Sequence, residues 1–133
     1  LHVYGKLPAR RDFFRLASTC DVGLCLIPTD SGDVNRRFAF GASNKCFDYL
    51  ACGLAVVVPN QDEWTSQVVA PGYGIACETY QTETLRSMLK ELRSKPAELR
   101  RMGELGRQRI LNDWNYETQF EPVRLLLDRL SSN

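Results

Sequence analysis

Short apolar runs recur along this chain at spacings that predict buried strands. Residues 22–27 and 54–58 are almost entirely apolar, and each run stops at a proline. Residues 75–77 form a third, shorter run. Continuous apolar runs of this length are typical of parallel strands whose two faces are both covered. Residues 1–4, closed by Gly5, predict one more short strand.

Between these runs the apolar residues follow the spacing of amphipathic helices. Residues 9–19 and 62–69 predict two helices, and another begins at Ser43 or Asn44 and ends at Gly53. Three more helices are predicted from residue 82 onward, with apolar positions Leu85, Met88, Leu89, Leu92, Leu99, Met102, Leu105, Ile110, Val123, Leu126, Leu127 and Leu130. Strands that alternate with helices predict a doubly wound α/β fold, in which helices cover both faces of a parallel sheet, followed by a helical tail over 82–133.

Composition and charge describe one ordinary globular domain over residues 1–133. Charged residues make up 25% of the chain and apolar residues 44%, so we expect a packed core. The formal net charge is +1 at pH 7. A balance this close to neutral argues against electrostatic capture of nucleic acid or anionic lipid as the main activity. We therefore expect no nucleic-acid partner.

The cysteine pattern argues against both a disulfide framework and a zinc site. The count is odd and no C-x-x-C pair occurs among Cys20, Cys25, Cys46, Cys52 and Cys77. No apolar stretch approaches the roughly 18 residues of a membrane span, and the N-terminus lacks the pattern of a signal peptide. A reducing, cytoplasmic setting is the simplest expectation.

Residues 28–60 join a strand, a loop, a helix and a second strand, and they carry the chemistry we consider most informative. Ligands of open parallel sheets bind beyond the carboxyl ends of the strands, where loops meet helix N-termini. Free N–H groups at Asn44, Lys45 and Cys46 favour a phosphate there, and the Lys45 side chain adds positive charge. Asp48 lies one turn further, where its carboxylate can accept hydrogen bonds from a ribose diol.

Each of these residues also has a plainer interpretation. Ser43 and Asn44 can be only a helix cap. Lys45 can be a solvated surface lysine, and Asp48 can simply complement the helix dipole. On spacing alone, the plainer interpretation is favoured.

A family resemblance favours the anion site. The run Ser-Asn-Lys-Cys-Phe-Asp-Tyr-Leu-Ala-Cys-Gly-Leu-Ala-Val-Val-Val at 43–58 resembles the signature of group 1 (family 4) glycosyltransferases: Asn-Lys, two residues, Glu-Tyr, Met-Ala, a small residue, Gly and Pro-Val-Val. Residues 21–28 resemble the strand that the family places before this signature. Residues 72–74 resemble its later turn, and Asp113-Trp114 with the last helix resembles its tail.

The resemblance implies the donor-binding, Rossmann-like C-terminal domain of a GT-B enzyme that transfers sugar with retention, usually without a metal or other cofactor. The implied donor is a nucleotide-diphosphate sugar, UDP- or GDP-linked. Asp48 corresponds to the acidic residue that contacts the ribose. The loop near the phosphates corresponds to Gly41, Ala42, Ser43, Asn44 and Lys45.

The resemblance further implies strands and a whole acceptor domain upstream of residue 1. We therefore expect the chain to be truncated at its N-terminus. A homodimer is one way to fill the resulting gap in the sheet. Membrane association is expected only through the full-length enzyme or its acceptor.

Two positions depart from the family pattern. Phe40 stands where the family has its first acidic residue, and Ala55 stands where proline is usual. Phe40 cannot hydrogen-bond a transferred sugar, which keeps open a non-catalytic module that binds nucleotide or protein. A flavodoxin-like signalling domain is a weaker alternative, since Asp21 and Asp30 make a poor acidic cluster.

Several further residues admit two interpretations. Arg36 and Arg37 can touch phosphate, but a solvated role is favoured. For the aromatic residues, packing is favoured over stacking on a ligand; they are Trp64, Trp114, Tyr116 and Phe120.

Overall fold

A computed structural model describes residues 2–27, 40–41, 43–78 and 81–132 of the chain. Within them the chain alternates between helices and strands, as the sequence predicts. The elements, in order, are α1 (Arg10–Ala17), β1 (Val22–Leu24), α2 (Asn44–Ala51), β2 (Ala55–Pro59), α3 (Asp62–Trp64) with a π-helical continuation (Thr65–Val69), β3 (Gly74–Cys77), α4 (Thr82–Arg93), α5 (Pro96–Asn112) and α6 (Tyr116–Ser131).

The sheet is parallel and its order follows the chain, β1-β2-β3. Val22 lies opposite Ala55, and Val56 lies opposite Gly74. Every residue of β2 is buried, because β2 is paired on both edges and packed against helices on both faces. This is the Rossmann-like α/β arrangement that the apolar runs predict.

Two apolar clusters lie on opposite faces of β2, because successive side chains of a strand point to opposite sides. One contains Cys25, Cys46, Leu50, Val56, Val58, Trp64 and Val68. The other contains Ala55, Val57, Cys77, Leu92, Leu99 and Met102. Besides residues of the strands, the first cluster contains side chains of α2, α3 and its π-helical continuation, and the second contains side chains of α4 and α5. The helices therefore cover both faces of the sheet, as predicted.

Helix α5 approaches the turn after α2 so closely that no side chain fits between them. A Cβ at Gly103 would collide with the carbonyl oxygen of Gly53 and lie 2.7 Å from its carbon. A Cβ at Gly106 would collide with Leu50. Gly53 has a φ of +77°, the left-handed conformation that ends α2 as the sequence predicts.

Two predicted strands differ from the structure. Residues 2–4 form no strand: all three are exposed, and Val3 is 84% accessible, because none of the strands in the described residues pairs with their backbone. The strand predicted over 22–27 is shorter, Val22–Leu24, and Leu24 remains 42% exposed. A strand at the edge of the described sheet has one unpaired side, so an apolar composition alone does not bury it.

The helical tail has the three predicted helices. Helices α4 and α5 bury Leu92, Leu99 and Met102 against the sheet. In contrast, α6 has no buried residue, and its apolar side chains are exposed. None of the helices in the described residues combines the length and the apolar character that crossing a membrane requires.

We predict that Gly103→Ala destabilises the fold. A glycine-to-alanine change inside a helix ordinarily stabilises it by about 0.5–1 kcal/mol. Here the added methyl group must push α5 off the Gly53 turn, so we expect a net loss of about 3 kcal/mol, at the upper end for overpacking. Urea unfolding measures the loss.

Arg100→Ala is the control for this change, because Arg100 lies on the exposed side of the same helix. We expect Arg100→Ala to change the free energy of unfolding by no more than about 0.5 kcal/mol. A Gly103→Ala chain as stable as the natural one would mean that α5 does not pack on the Gly53 turn.

Candidate functional site

The N-terminus of α2 lies at the carboxyl edge of the sheet, the edge where ligands of parallel sheets bind. Ser43 takes the N-cap position with extended backbone angles (φ −103°, ψ 117°), but its side chain makes no capping hydrogen bond within the described residues. Asn44 and Lys45 on the first turn are exposed. Ser43 is the residue best placed to cap α2, but its side chain accepts no hydrogen bond from the first N–H groups of the helix.

The loop before α2 is only partly described. Gly41 is exposed and has a φ of +78°, a conformation that favours glycine. Three residues of the predicted loop lie outside the described residues: Arg36, Arg37 and Ala42. The structure therefore brings Gly41, Ser43 and Asn44 together at one helix end.

Asp48 forms an ion pair that the sequence analysis missed. Its Oδ1 accepts a hydrogen bond from the guanidinium of Arg10 on α1 at 2.5 Å. The Asp48 side chain is 16% exposed and that of Arg10 is 64% exposed, so the arginine is the solvent-exposed partner of the pair. Arg10 also lies over the ring of Phe14 at 5.0 Å. The basic residue that opens α1 was visible in the sequence, but nothing local indicated its partner.

Tyr49 fixes the position of its neighbour Asp48. Its ring packs on the backbone of Gly23 in β1, where a Cβ would lie 2.7 Å from the Tyr49 Cβ and collide with the ring. Phe13 of α1 contacts the same ring, with centroids 5.9 Å apart. One tyrosine therefore locks α2 to both β1 and α1, and it brings Arg10 within reach of Asp48.

Beneath the first turn of α2 lies a pair of buried thiols. Cys25 follows β1 and Cys46 belongs to α2, and each is 1% exposed. A hydrogen bond in which the Cys25 thiol keeps its proton beside Cys46 raises the pKa of Cys25 far above its ordinary value of 9.0, and burial raises it further. Cys25 is thus a packing group rather than a nucleophile.

The carboxyl ends of β2 and β3 add a polar rim at the same edge. The Asn60 side-chain amide donates to the Glu78 carboxylate at 2.8 Å. Two buried atoms nearby, Gln61 Oε1 and the Trp64 indole nitrogen, have no hydrogen-bond partner within the described residues. Unpaired buried polar atoms are rare in folded proteins.

Phe40 packs into an aromatic cluster beside the N-terminal half of α2. Its ring lies 5.1 Å from Trp64, and 6.0 Å from both Phe47 and Trp114. Trp64 is 1% exposed, in agreement with the packing interpretation. Trp114 is half-buried in the same cluster, whereas Tyr116 and Phe120 are exposed and stack on each other at 5.1 Å.

Comparison with known families agrees with this arrangement. A family model described as glycosyl transferase-like matches residues 2–124, nearly the whole chain. The chain belongs to this glycosyl transferase-like family and is a glycosyltransferase module. No curated protein and no solved structure matches it.

We predict that stability falls at alkaline pH because of the buried Cys25 thiol. The folded state keeps Cys25 protonated above its ordinary pKa of 9.0, whereas the unfolded chain releases that proton. The stabilising contribution is complete below the unfolded-state pKa and is lost as pH rises above it. One proton changes the slope by about 1.36 kcal/mol per pH unit. Urea unfolding between neutral and alkaline pH measures it.

Cys25→Ala should make this slope shallower by the contribution of one proton, about 1.36 kcal/mol per pH unit. Val58→Ala is the matched control, since it truncates a buried side chain of the same cluster but removes no titrating group. We expect the control to lower stability without changing the slope. Equal slopes in the Cys25→Ala and natural chains would contradict the assignment.

Proposed function

We propose that this module is the donor-binding half of a GT-B glycosyltransferase of the family 4 type. The proposed donor is a nucleotide-diphosphate sugar, UDP- or GDP-linked. The observation that carries the proposal is the N-terminus of α2, which is not capped by Ser43 and has Asp48 one turn away, at the carboxyl edge of the sheet. Membership of a glycosyl transferase-like family supports the same interpretation.

The proposed roles follow from charge and distance along the helix. The N–H groups of Asn44, Lys45 and Cys46 and the positive end of the α2 dipole hold the diphosphate. The Lys45 side chain is exposed on the same turn and adds a full charge. Asp48 accepts hydrogen bonds from the ribose hydroxyls. Gly41, Ala42 and Ser43 form the loop that runs past the phosphates.

In this proposal the domain accelerates transfer by stabilising the leaving nucleotide. Negative charge grows on the diphosphate as the glycosidic bond breaks through an oxocarbenium-like state, and transfer occurs with retention. A fixed helix dipole and Lys45 stabilise that charge without reorganisation. The chain contributes no nucleophile, metal or other cofactor to this step.

The proposal places the acceptor on a separate domain. The module over residues 1–133 supplies the donor half-site, and a facing domain presents the acceptor. A polysaccharide or a glycolipid is a product compatible with this arrangement. A second copy of the chain is an alternative neighbour for the open edge of β1, where Leu24 is exposed.

A non-catalytic module is the second candidate, and Phe40 favours it. The side chain at the position of the family's first acidic residue packs against Trp64 and Trp114. It therefore offers no hydrogen bond to a transferred sugar. Sugar transfer by an enzyme that contains this domain, lost when Lys45 is replaced by alanine, would exclude the non-catalytic role.

We predict that the chain binds UDP or GDP and that Asp48→Ala weakens the binding at least about tenfold, or 1.4 kcal/mol. A hydrogen bond to a charged group contributes about this much. Isothermal titration calorimetry measures both affinities. Asp128→Ala is the matched control, because Asp128 also pairs with an arginine, Arg124, at 2.7 Å, but lies on α6. A folded chain that binds neither nucleotide would contradict the donor site.

We predict that Arg10→Ala tightens nucleotide binding modestly. Arg10 occupies one oxygen of Asp48, so the ribose has to displace or share that contact. Exposed ion pairs contribute at most about 1 kcal/mol, so the gain should not exceed roughly fivefold. The same calorimetric titration measures it. Weaker binding by Arg10→Ala would mean that Arg10 itself contacts the nucleotide.

A further inference from the structure

A cavity of about 330 Å³ lies between α2, the π-helical continuation of α3 and the α5–α6 junction. Its volume is near the lower limit for small-molecule sites, about 300–1,000 Å³. None of the residues assigned above to phosphate or ribose is among those that line the cavity. Its walls are formed by Phe40, Phe47, Gln67, Trp114, Asn115, Tyr116 and Gln119.

The lining is made of aromatic rings and side-chain amides. Among the described residues that line the cavity, none carries a charge. A diphosphate would therefore find no counter-charge here, and its desolvation would not be offset. The lining suits a neutral ligand that has both apolar faces and hydroxyl groups.

The walls are held in place by contacts among the lining residues and with Tyr73 and Arg109. Trp114 packs edge-on against Phe47 at 5.6 Å and Tyr73 at 5.9 Å, and the Arg109 guanidinium lies over its ring at 5.2 Å. Asn115 caps α6 by accepting a hydrogen bond from the Thr118 N–H at 2.7 Å. The aromatic wall is thus preorganised, which lowers the entropic cost of binding.

Polar atoms remain for a ligand at the rim. Gln119 donates through Nε2 to the carbonyl of Asp113 at 2.8 Å, which orients its Oε1 as an acceptor. Gln67 is exposed on the π-helical turn, and Tyr116 is 72% exposed. These amide and hydroxyl groups can both donate and accept, as hydroxyl groups of a ligand require.

We propose that this cavity binds an uncharged pyranose ring. The apolar C–H face of the ring packs on the aromatic wall, and its hydroxyls pair with Gln67, Gln119 and Tyr116. Phe40 lies three positions before Ser43 in the chain, so the cavity begins beside the proposed donor site. The assignment to a sugar rests on the proposed glycosyl-transfer function, and the ring belongs either to the donor or to a glycan acceptor that the facing domain presents to this cavity.

Fluorine NMR of the 5-fluorotryptophan-labelled chain tests this assignment. The chain has two tryptophans: Trp114 lines the cavity, and Trp64 is buried. The Trp114→Phe spectrum assigns the two signals. The probes are N-acetylglucosamine and the methyl glycosides of glucose, galactose and mannose. UDP-glucose is compared with UDP and GDP-mannose with GDP, and glycerol is the control for unspecific hydroxyl effects.

The expected result is a saturable shift of the Trp114 signal that leaves the Trp64 signal in place. A shift caused by a free glycoside identifies an acceptor-like ring. A shift caused by a nucleotide sugar, but not by its nucleotide, identifies the donor ring. Either result supports the proposal, provided that glycerol causes no saturable shift.

Variants tie the shift to the cavity. Gln67→Ala and Tyr116→Ala should each weaken the sugar about threefold to tenfold, since each removes one hydrogen-bonding group. Gln108→Ala and Tyr4→Ala are the matched controls, because both replace exposed residues outside the cavity lining, and they should keep the natural affinity.

The proposal is overturned if no probe shifts the Trp114 signal saturably. It is also overturned if Gln67→Ala and Tyr116→Ala both bind the sugar with the natural affinity. The calorimetric test of Asp48 reports on nucleotide binding, independently of the tryptophan signals. A chain that binds UDP or GDP but gives no sugar-dependent shift keeps the donor site and loses the cavity assignment. A chain that gives the shift without binding a nucleotide keeps the cavity and loses the donor site.

Discussion

Positions that lack a side chain determine where α2 lies, and the candidate site depends on α2. Gly23 lets the Tyr49 ring rest on the backbone of β1, and Gly106 lets Leu50 pack under α5. Gly103 brings α5 against the carbonyl of Gly53, at the end of the same helix. A methyl group at any of these positions would have to displace backbone or packed side chains. The direction of α2 is therefore set by close contact on two sides.

With α2 held in this way, its electrostatics become useful for binding. The N-terminal end presents exposed Asn44 and Lys45, and Asp48 stands one turn along beside Arg10. Positive potential at the helix end and a carboxylate nearby match a diphosphate joined to a ribose. The buried Cys25 thiol lies beneath this turn and has a raised pKa, so it adds no negative charge that would oppose a phosphate.

Phe40 connects this helix end to the aromatic cavity. Its ring joins Trp64 and Trp114. It brings no charge to the helix end and forms part of an uncharged wall that begins three positions before Ser43 in the chain. In our proposals, recognition is divided accordingly: charged and backbone groups take the nucleotide, and aromatic and amide groups take the sugar.

The sequence by itself determined the alternation of strands and helices, the stop of α2 at Gly53 and the family resemblance, because apolar period and glycine conformation act over a few neighbouring residues. It also singled out Asn44, Lys45 and Asp48, which lie on one short helix. Only the tertiary structure decided that Arg10 pairs with Asp48, 38 positions away, and that Phe40 joins Trp114. It also decided that residues 2–4 stay unpaired. Such outcomes depend on which elements become neighbours, and no local pattern carries that information.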